Sequence, residues 1–249
     1  MEIKEIPNKN NICIKKFNFS CDDIDPTIPK PLPQRLNFCM GIIGKAGSGK
    51  TTLLLNLVVK KGKVYNRKFD KVFVFSPSLL TMDEDPFESL PEDQKFQLLD
   101  EESLQQVIDE VEETGEKVLI IMDDVVNDMN KNMGLQRLIC KLCMNRRHIT
   151  GYGGGISIII TSQVYNKIPC AIRKCFSQLI LMNGKQRREL DSLFDEHILI
   201  PKPDFYKILN HTFQKKHDFL YLDLSQPYDK MFHKGFNELH LSFPQDDLV

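Results

Sequence analysis

A glycine-rich segment lies between two apolar stretches of different periodicity. Residues 38–43 are almost all apolar, residues 44–51 read GKAGSGKT, and residues 53–58 place leucines and a valine on one helical face. Three glycines in the middle segment permit backbone angles that other residues avoid, so successive N–H groups can turn inward at a helix start. The sequence therefore predicts a buried strand, an anion-binding loop and a helix in immediate succession.

The middle segment matches the pattern G-x-x-x-x-G-K-T, known as Walker A. In this pattern backbone N–H groups cradle phosphates, the lysine reaches the β- and γ-phosphates, and the threonine hydroxyl coordinates magnesium. We therefore expect ATP and Mg²⁺ here, because a turn without a ligand has no use for Gly-Lys-Thr at a helix start. The predicted nucleotide-binding residues are Gly44, Lys45, Ala46, Gly47, Ser48, Gly49, Lys50, Thr51 and Thr52. Lys50 is also a predicted catalytic residue, and Thr51 a predicted magnesium ligand.

Two aspartates follow a second apolar stretch. Residues 118–122 read VLIIM, which is typical of a central strand buried on both faces, and Asp123 and Asp124 come directly after it. A triphosphate site needs an acid to hold the magnesium and a group to polarise the attacking water. We expect Asp123 to be the metal-associated acid and Asp124 the catalytic acid. The alternative is that both are solvated loop residues.

A third apolar stretch, residues 156–161, ends in Ser162 and Gln163. If its strand lies between the strands that carry the two motifs, Gln163 faces the γ-phosphate and can sense hydrolysis. The alternative is a polar cap at the end of a strand, where such residues are common.

Three arginines are candidates for acting on a nucleotide. Arg146 and Arg147 close the helix that follows the acidic pair, where the helix dipole favours cations whatever the function. The alternative is an arginine finger donated to a neighbouring subunit, which stabilises the charge of the transition state. Arg173 is a further candidate for the same role.

The alternation of apolar strands with helical segments predicts an α/β fold, with a parallel sheet flanked by helices on both faces. Residues 1–35 carry five prolines and are expected to form an extended N-terminal arm. Residues 36–184 are the expected ATPase core. Residues 185–249 are an expected C-terminal extension, packed on the core or on a neighbouring subunit.

Composition limits the partners. The chain has 33 basic and 34 acidic residues, so any contact with a polyanion has to be local. No apolar run approaches the roughly 20 residues that cross a bilayer, and the N-terminus is polar, so we expect no membrane partner and a cytosol-like compartment.

The motifs together resemble the poxvirus-type genome-packaging ATPases of large DNA viruses, within the FtsK-HerA group. The resemblance spans about residues 36–181 and is carried by FCMGIIGKAGSGKTTLL, KVLIIMDDV, NRRHI, ISIIITSQ and IPCAIRKCFSQLILMNG. It implies a RecA/ASCE-like P-loop NTPase that couples Mg-ATP hydrolysis to translocation of double-stranded viral DNA into the capsid. The implied assembly is a homo-oligomeric ring with capsid or portal-side viral partners, at the assembly site in the host cytoplasm and also in the virion. The Arg-His pair favours Arg147 over Arg146 as the finger.

Two other P-loop classes remain as alternatives. Residues 166–169 read NKIP, which is similar to the guanine-reading Asn-Lys-x-Asp of GTPase switches, but a proline stands where the aspartate is required. A nucleotide kinase would transfer phosphate to an acceptor other than water.

Overall fold

A computed structural model describes residues 23–59, 64–80, 85–150, 154–184 and 187–242. Its centre is a nine-stranded sheet in the order β3-β2-β4-β5-β1-β6-β7-β8-β9. Strands β1 to β6 pair in parallel, and β7, β8 and β9 add antiparallel pairs. The strands are β1 Cys39–Ile43, β2 Lys71–Phe75, β3 Lys95–Phe96, β4 Lys117–Met122, β5 Gly155–Ser162, β6 Gln178–Met182, β7 Phe219–Asp223, β8 Phe232–Lys234 and β9 Asn237–Glu238.

Seven α-helices connect or follow these strands in the part of the chain that is described. They are α1 Lys50–Val58, α2 Glu101–Thr114, α3 Val126–Lys131, α4 Met133–Asn145, α5 Cys170–Arg173, α6 Arg187–His197 and α7 Lys202–Thr212. The predicted α/β class is confirmed, since the sheet core is parallel and helices cover both of its faces.

The two faces of the sheet have separate cores. Alternate residues of β4 point in opposite directions, so that Leu119 and Ile121 pack towards α1 while Val118 and Ile120 pack towards α2, α4 and α6. All four side chains are fully buried. A strand buried on both faces needs a continuous apolar run, which is what the sequence shows.

The sheet order positions the three motifs. Strand β5 lies between β4 and β1, with Ile160 opposite Met122 and Ser162 opposite Ile43. Parallel strands end at the same edge of a sheet, so the residues after β1, β4 and β5 meet there. We call this the carboxyl edge.

The terminal segments pack on this core. Residues 1–22 of the predicted arm lie outside the described residues, while Ile28 and Leu32 are buried against the α1 side of the sheet. Strand β7 pairs with β6, so residues beyond 185 continue the same sheet. No helix in the described ranges is long and apolar enough to cross a bilayer.

Candidate nucleotide site

The loop between β1 and α1 forms an open backbone cradle. Gly47 and Gly49 have φ angles of 70° and 101°, in the left-handed region that favours glycine. Gly49 is the N-cap of α1 and supplies no side-chain oxygen to its first turn. The first amides of α1 have no acceptor within their own helix, and they can therefore bind an anion. A Cβ atom at Gly44 would lie 2.5 Å from the Cβ of Met182, so β6 supports the loop closely.

Lys50 lies inside this cradle. Its Nζ donates hydrogen bonds to the carbonyls of Gly44 (2.6 Å) and Lys45 (3.3 Å), and the residue is 9% exposed. Burial lowers the pKa of Lys50, while the charges of Asp124 and Asp123 act in the opposite direction. The Oγ of Ser48 is buried and has no partner among the described residues. The Ser48 hydroxyl and the first amides of α1 therefore lack acceptors. Phosphate oxygens would supply them, so the loop fits a triphosphate.

Asp123 is held by the two strands that flank β4. Its Oδ1 accepts a hydrogen bond from the Thr161 hydroxyl (2.6 Å), and its Oδ2 accepts one from the Ser76 hydroxyl (3.2 Å). The residue is only 5% exposed. A carboxylate oxygen accepts more than one hydrogen bond, so both oxygens of Asp123 can also bind a magnesium-bound water.

Asp124 is exposed and has a left-handed φ of 55°. Its backbone N–H donates to the Thr161 hydroxyl (3.0 Å), and its Oδ2 accepts a hydrogen bond from Nε2 of Gln163 (2.7 Å). Thr161 therefore bonds to both aspartates at once, and Gln163 orients the second one. The carboxylate pair, the amide of Gln163 and the phosphate loop all lie on the carboxyl edge.

Sequence reasoning missed Ser76 and Thr161 as site residues. Each is a buried hydroxyl residue at the carboxyl end of an apolar run, KVFVFS and ISIIITS. A serine or threonine at the end of an apolar strand indicates a site residue only when the neighbouring strand is known to carry an acid.

Arg146 and Arg147 lie at the opposite edge of the sheet. Arg146 donates from Nε to the Asn37 carbonyl (2.7 Å) and from Nη1 to the Cys143 carbonyl (2.5 Å), at the amino ends of β1 and β5. Six residues of extended chain lie between Asn37 and Gly44, which places the two about 23 Å apart. Both arginines line a cleft of about 860 Å³ at this amino edge. In this structure neither arginine can reach a nucleotide bound to its own chain.

Arg173 has a different environment. Its guanidinium forms two hydrogen bonds to the Glu196 carboxylate, Nε to Oε2 (3.0 Å) and Nη2 to Oε1 (2.5 Å), and lies 4.8 Å from the centre of the Tyr165 ring. The residue is 8% exposed. The pair joins α6 to α5, so in this structure the Arg173 guanidinium has its partners within its own chain.

Comparisons with known proteins identify the family of the chain. The model of the family described as Poxvirus A32 protein matches residues 32–217, well over half of the chain. A comparison with curated proteins found no match.

Solved structures show the same fold. The DNA-packaging ATPase B204 of Sulfolobus Turreted Icosahedral Virus has a TM-score of 0.55 at 13% identity, covering 76% of this chain and 93% of that one. EssC (ATPases 2 and 3) from Geobacillus thermodenitrificans has a TM-score of 0.55 at 17% identity, covering 86% of this chain and 42% of that one. Because the family model covers most of the chain, the chain belongs to the Poxvirus A32 protein family, the poxvirus-type branch of the genome-packaging ATPases.

Proposed function

We propose that this chain hydrolyses ATP with Mg²⁺ and uses the reaction to move double-stranded viral DNA into a capsid. The observation that carries the proposal is the arrangement of Asp123, Asp124 and Gln163 around Thr161, on the same edge as the phosphate loop. A binding module needs only the loop. A hydrolase also needs an oriented acid beside it, and this arrangement supplies one.

Binding starts at the loop. The triphosphate accepts hydrogen bonds from the first amides of α1, and Lys50 exchanges its carbonyl partners for phosphate oxygens. The Thr51 hydroxyl and the Asp123 carboxylate are the groups that would hold Mg²⁺, the second through a bound water. When bound, Mg²⁺ neutralises charge that develops on the phosphate oxygens.

Asp124 acts on the attacking water. It is the more exposed of the two acids, and its carboxylate is oriented by the 2.7 Å hydrogen bond from Gln163. We propose that Asp124 polarises this water, and that Gln163 responds to loss of the γ-phosphate by changing its bond to Asp124. The response would pass along the turn after β5 to Tyr165 and the Arg173–Glu196 pair.

The arginine finger acts between subunits in this proposal. Because the phosphate loop and Arg147 lie on opposite edges of one chain, a head-to-tail contact between copies brings Arg147 of one copy towards the loop of the next. Repetition of a head-to-tail contact gives a closed ring when the rotation permits it. We propose that residues 1–35 and 185–249 extend these contacts between subunits. The further partners are capsid or portal-side viral proteins at the assembly site in the host cytoplasm.

Translocation can be tested with a DNA triplex, because a motor that moves along the duplex displaces the third strand. We expect the wild-type chain to displace the strand only with hydrolysable ATP and Mg²⁺, and Asp124→Asn to bind ATP without displacement. His211→Ala, at an exposed position of α7, is the matched control and should behave as wild type. Displacement without hydrolysable nucleotide, or undiminished displacement by Asp124→Asn, would refute the proposal.

A further inference from the structure

The residues after α7 form a turn that is fixed to the carboxyl edge of the sheet. The backbone N–H groups of Gln214 and Lys215 both donate to Oδ2 of Asp218, at 2.9 and 2.6 Å. Asn183, directly after β6, donates its side-chain amide to the Lys215 carbonyl (2.9 Å) and its backbone N–H to the Asp218 carbonyl (3.0 Å). These four hydrogen bonds give residues 214–218 a defined position beside the phosphate loop.

His217 reaches from this turn onto the loop. Its Nδ1 lies 3.1 Å from the carbonyl oxygen of Ser48. A carbonyl only accepts, so Nδ1 carries the proton, and Nε2 is an acceptor when the ring is neutral. A Cβ atom at Gly49 would lie 3.4 Å from the same Nδ1, so the ring is in contact range of the N-cap of α1.

The sheet order gives the direction in which a bound nucleotide runs. Asp123 and Asp124 lie on the β4 and β5 side of the loop, while the turn at residues 214–218 lies on the β6 and β7 side. Hydrolysis requires the γ-phosphate to lie next to the acids. The nucleoside at the other end of the triphosphate therefore points towards β6 and β7.

We infer that the turn at residues 214–218 is the nucleoside side of the ATP site, with His217 as the residue that contacts the purine nucleoside. The inference rests on the proposed function, since it uses the position of the hydrolytic acids to orient the nucleotide. An imidazole offers a flat face on which a purine can stack, and Nε2 accepts a hydrogen bond from an amino or hydroxyl group. This role would give residues 185–249 a part in nucleotide binding, in addition to the strands that they add to the sheet.

Binding of two magnesium-loaded ligands tests the inference, with the full chain throughout. ATP carries a nucleoside, whereas inorganic tripolyphosphate has only the phosphates. We expect His217→Ala to weaken ATP binding about tenfold, the loss of one base-stacking contact, and to leave tripolyphosphate binding unchanged. His217→Phe keeps the flat ring and loses the Nδ1–H, so it should bind ATP much more tightly than His217→Ala. His211→Ala, which removes an exposed histidine of α7 outside the turn, is the matched control.

Equal weakening of both ligands in His217→Ala would overturn the inference, because it would mean that His217 only supports the loop through Ser48. Unchanged binding of both ligands would overturn it too, since the nucleoside would then lie elsewhere. Neither result bears on hydrolysis. The proposed function fails separately if the wild-type chain binds ATP in this assay but does not turn it over.

Discussion

Thr161→Val is the substitution that most directly probes how the site is held together. The Thr161 side chain is fully buried, donates to Asp123 Oδ1 (2.6 Å) and accepts from the Asp124 N–H (3.0 Å). Valine has nearly the same shape but no hydroxyl. It would leave Asp123 with the single 3.2 Å hydrogen bond from Ser76, and the Asp124 amide without its acceptor.

The expected magnitude follows from these two bonds. A hydrogen bond to a buried charged group contributes about 1.5–3 kcal/mol, and one to a backbone amide about 1 kcal/mol. The free energy of unfolding should therefore fall by about 2.5–4 kcal/mol. Asp124 also loses the contact that fixes its backbone, so kcat for ATP should fall roughly 10- to 100-fold, with KM changed much less.

Thr212→Val is a matched control. Thr212 is also fully buried, but its hydroxyl has no hydrogen-bond partner among the described residues. Removing that hydroxyl should leave stability unchanged or raise it slightly, because no bond is lost and an unpaired polar atom is removed. Urea denaturation and steady-state ATP turnover measure both effects. If Thr161→Val is as stable and as active as Thr212→Val, Thr161 does not organise the acids.

Three further predictions concern other parts of the molecule. Arg147→Ala and Lys50→Ala should each abolish ATP turnover. An equimolar mixture of the two variants should recover activity, because a subunit with intact Lys50 can then lie next to one with intact Arg147. Random mixing places such a pair at roughly a quarter of the subunit contacts. Burial lowers the pKa of His197 and of His233, so the unfolded chain binds more protons, and the free energy of unfolding in urea should fall as the pH drops below 6.5. Arg173→Ala leaves the partly buried Glu196 carboxylate without its cation and should lower the free energy of unfolding by up to about 3–5 kcal/mol.

Each of these has its own control. Arg146→Ala should lower stability and should not be rescued by mixing, because Arg146 is bonded to carbonyls of its own chain. A mixture that stays inactive would place Arg147 in its own subunit. Replacing His197 and His233 with Gln should flatten the pH dependence of unfolding above pH 5. A fully stable Arg173→Ala would show that the pair with Glu196 is not needed to fix α6.

Local sequence patterns were sufficient to predict the phosphate loop and the strands that carry the site. The glycines at 44, 47 and 49 and the run at 118–122 predict backbone geometry that depends only on nearby residues. Strands β1, β4 and β5 lie where the three apolar stretches indicated, and β5 lies between β1 and β4. That order is what makes Gln163 a neighbour of Asp124.

Contacts between distant residues could not be predicted in the same way. Strands β3, β8 and β9 have two or three residues each and exist because they pair with an existing sheet edge. The contact between His217 and Ser48 joins residues 169 positions apart. The ion pair of Arg173 could not be predicted either, because nothing near it in the sequence indicates the carboxylate of Glu196, which lies on a separate helix.

ATP turnover with and without duplex DNA, in the wild-type chain and in Lys50→Ala, is the decisive measurement for an ATP-driven DNA motor. Lys50 is the cation buried in the phosphate cradle, so its loss should reduce turnover by roughly a hundredfold or more. Duplex DNA should stimulate the wild-type chain and have no effect on the variant. Turnover that survives Lys50→Ala, or that is the same with and without DNA, would contradict it.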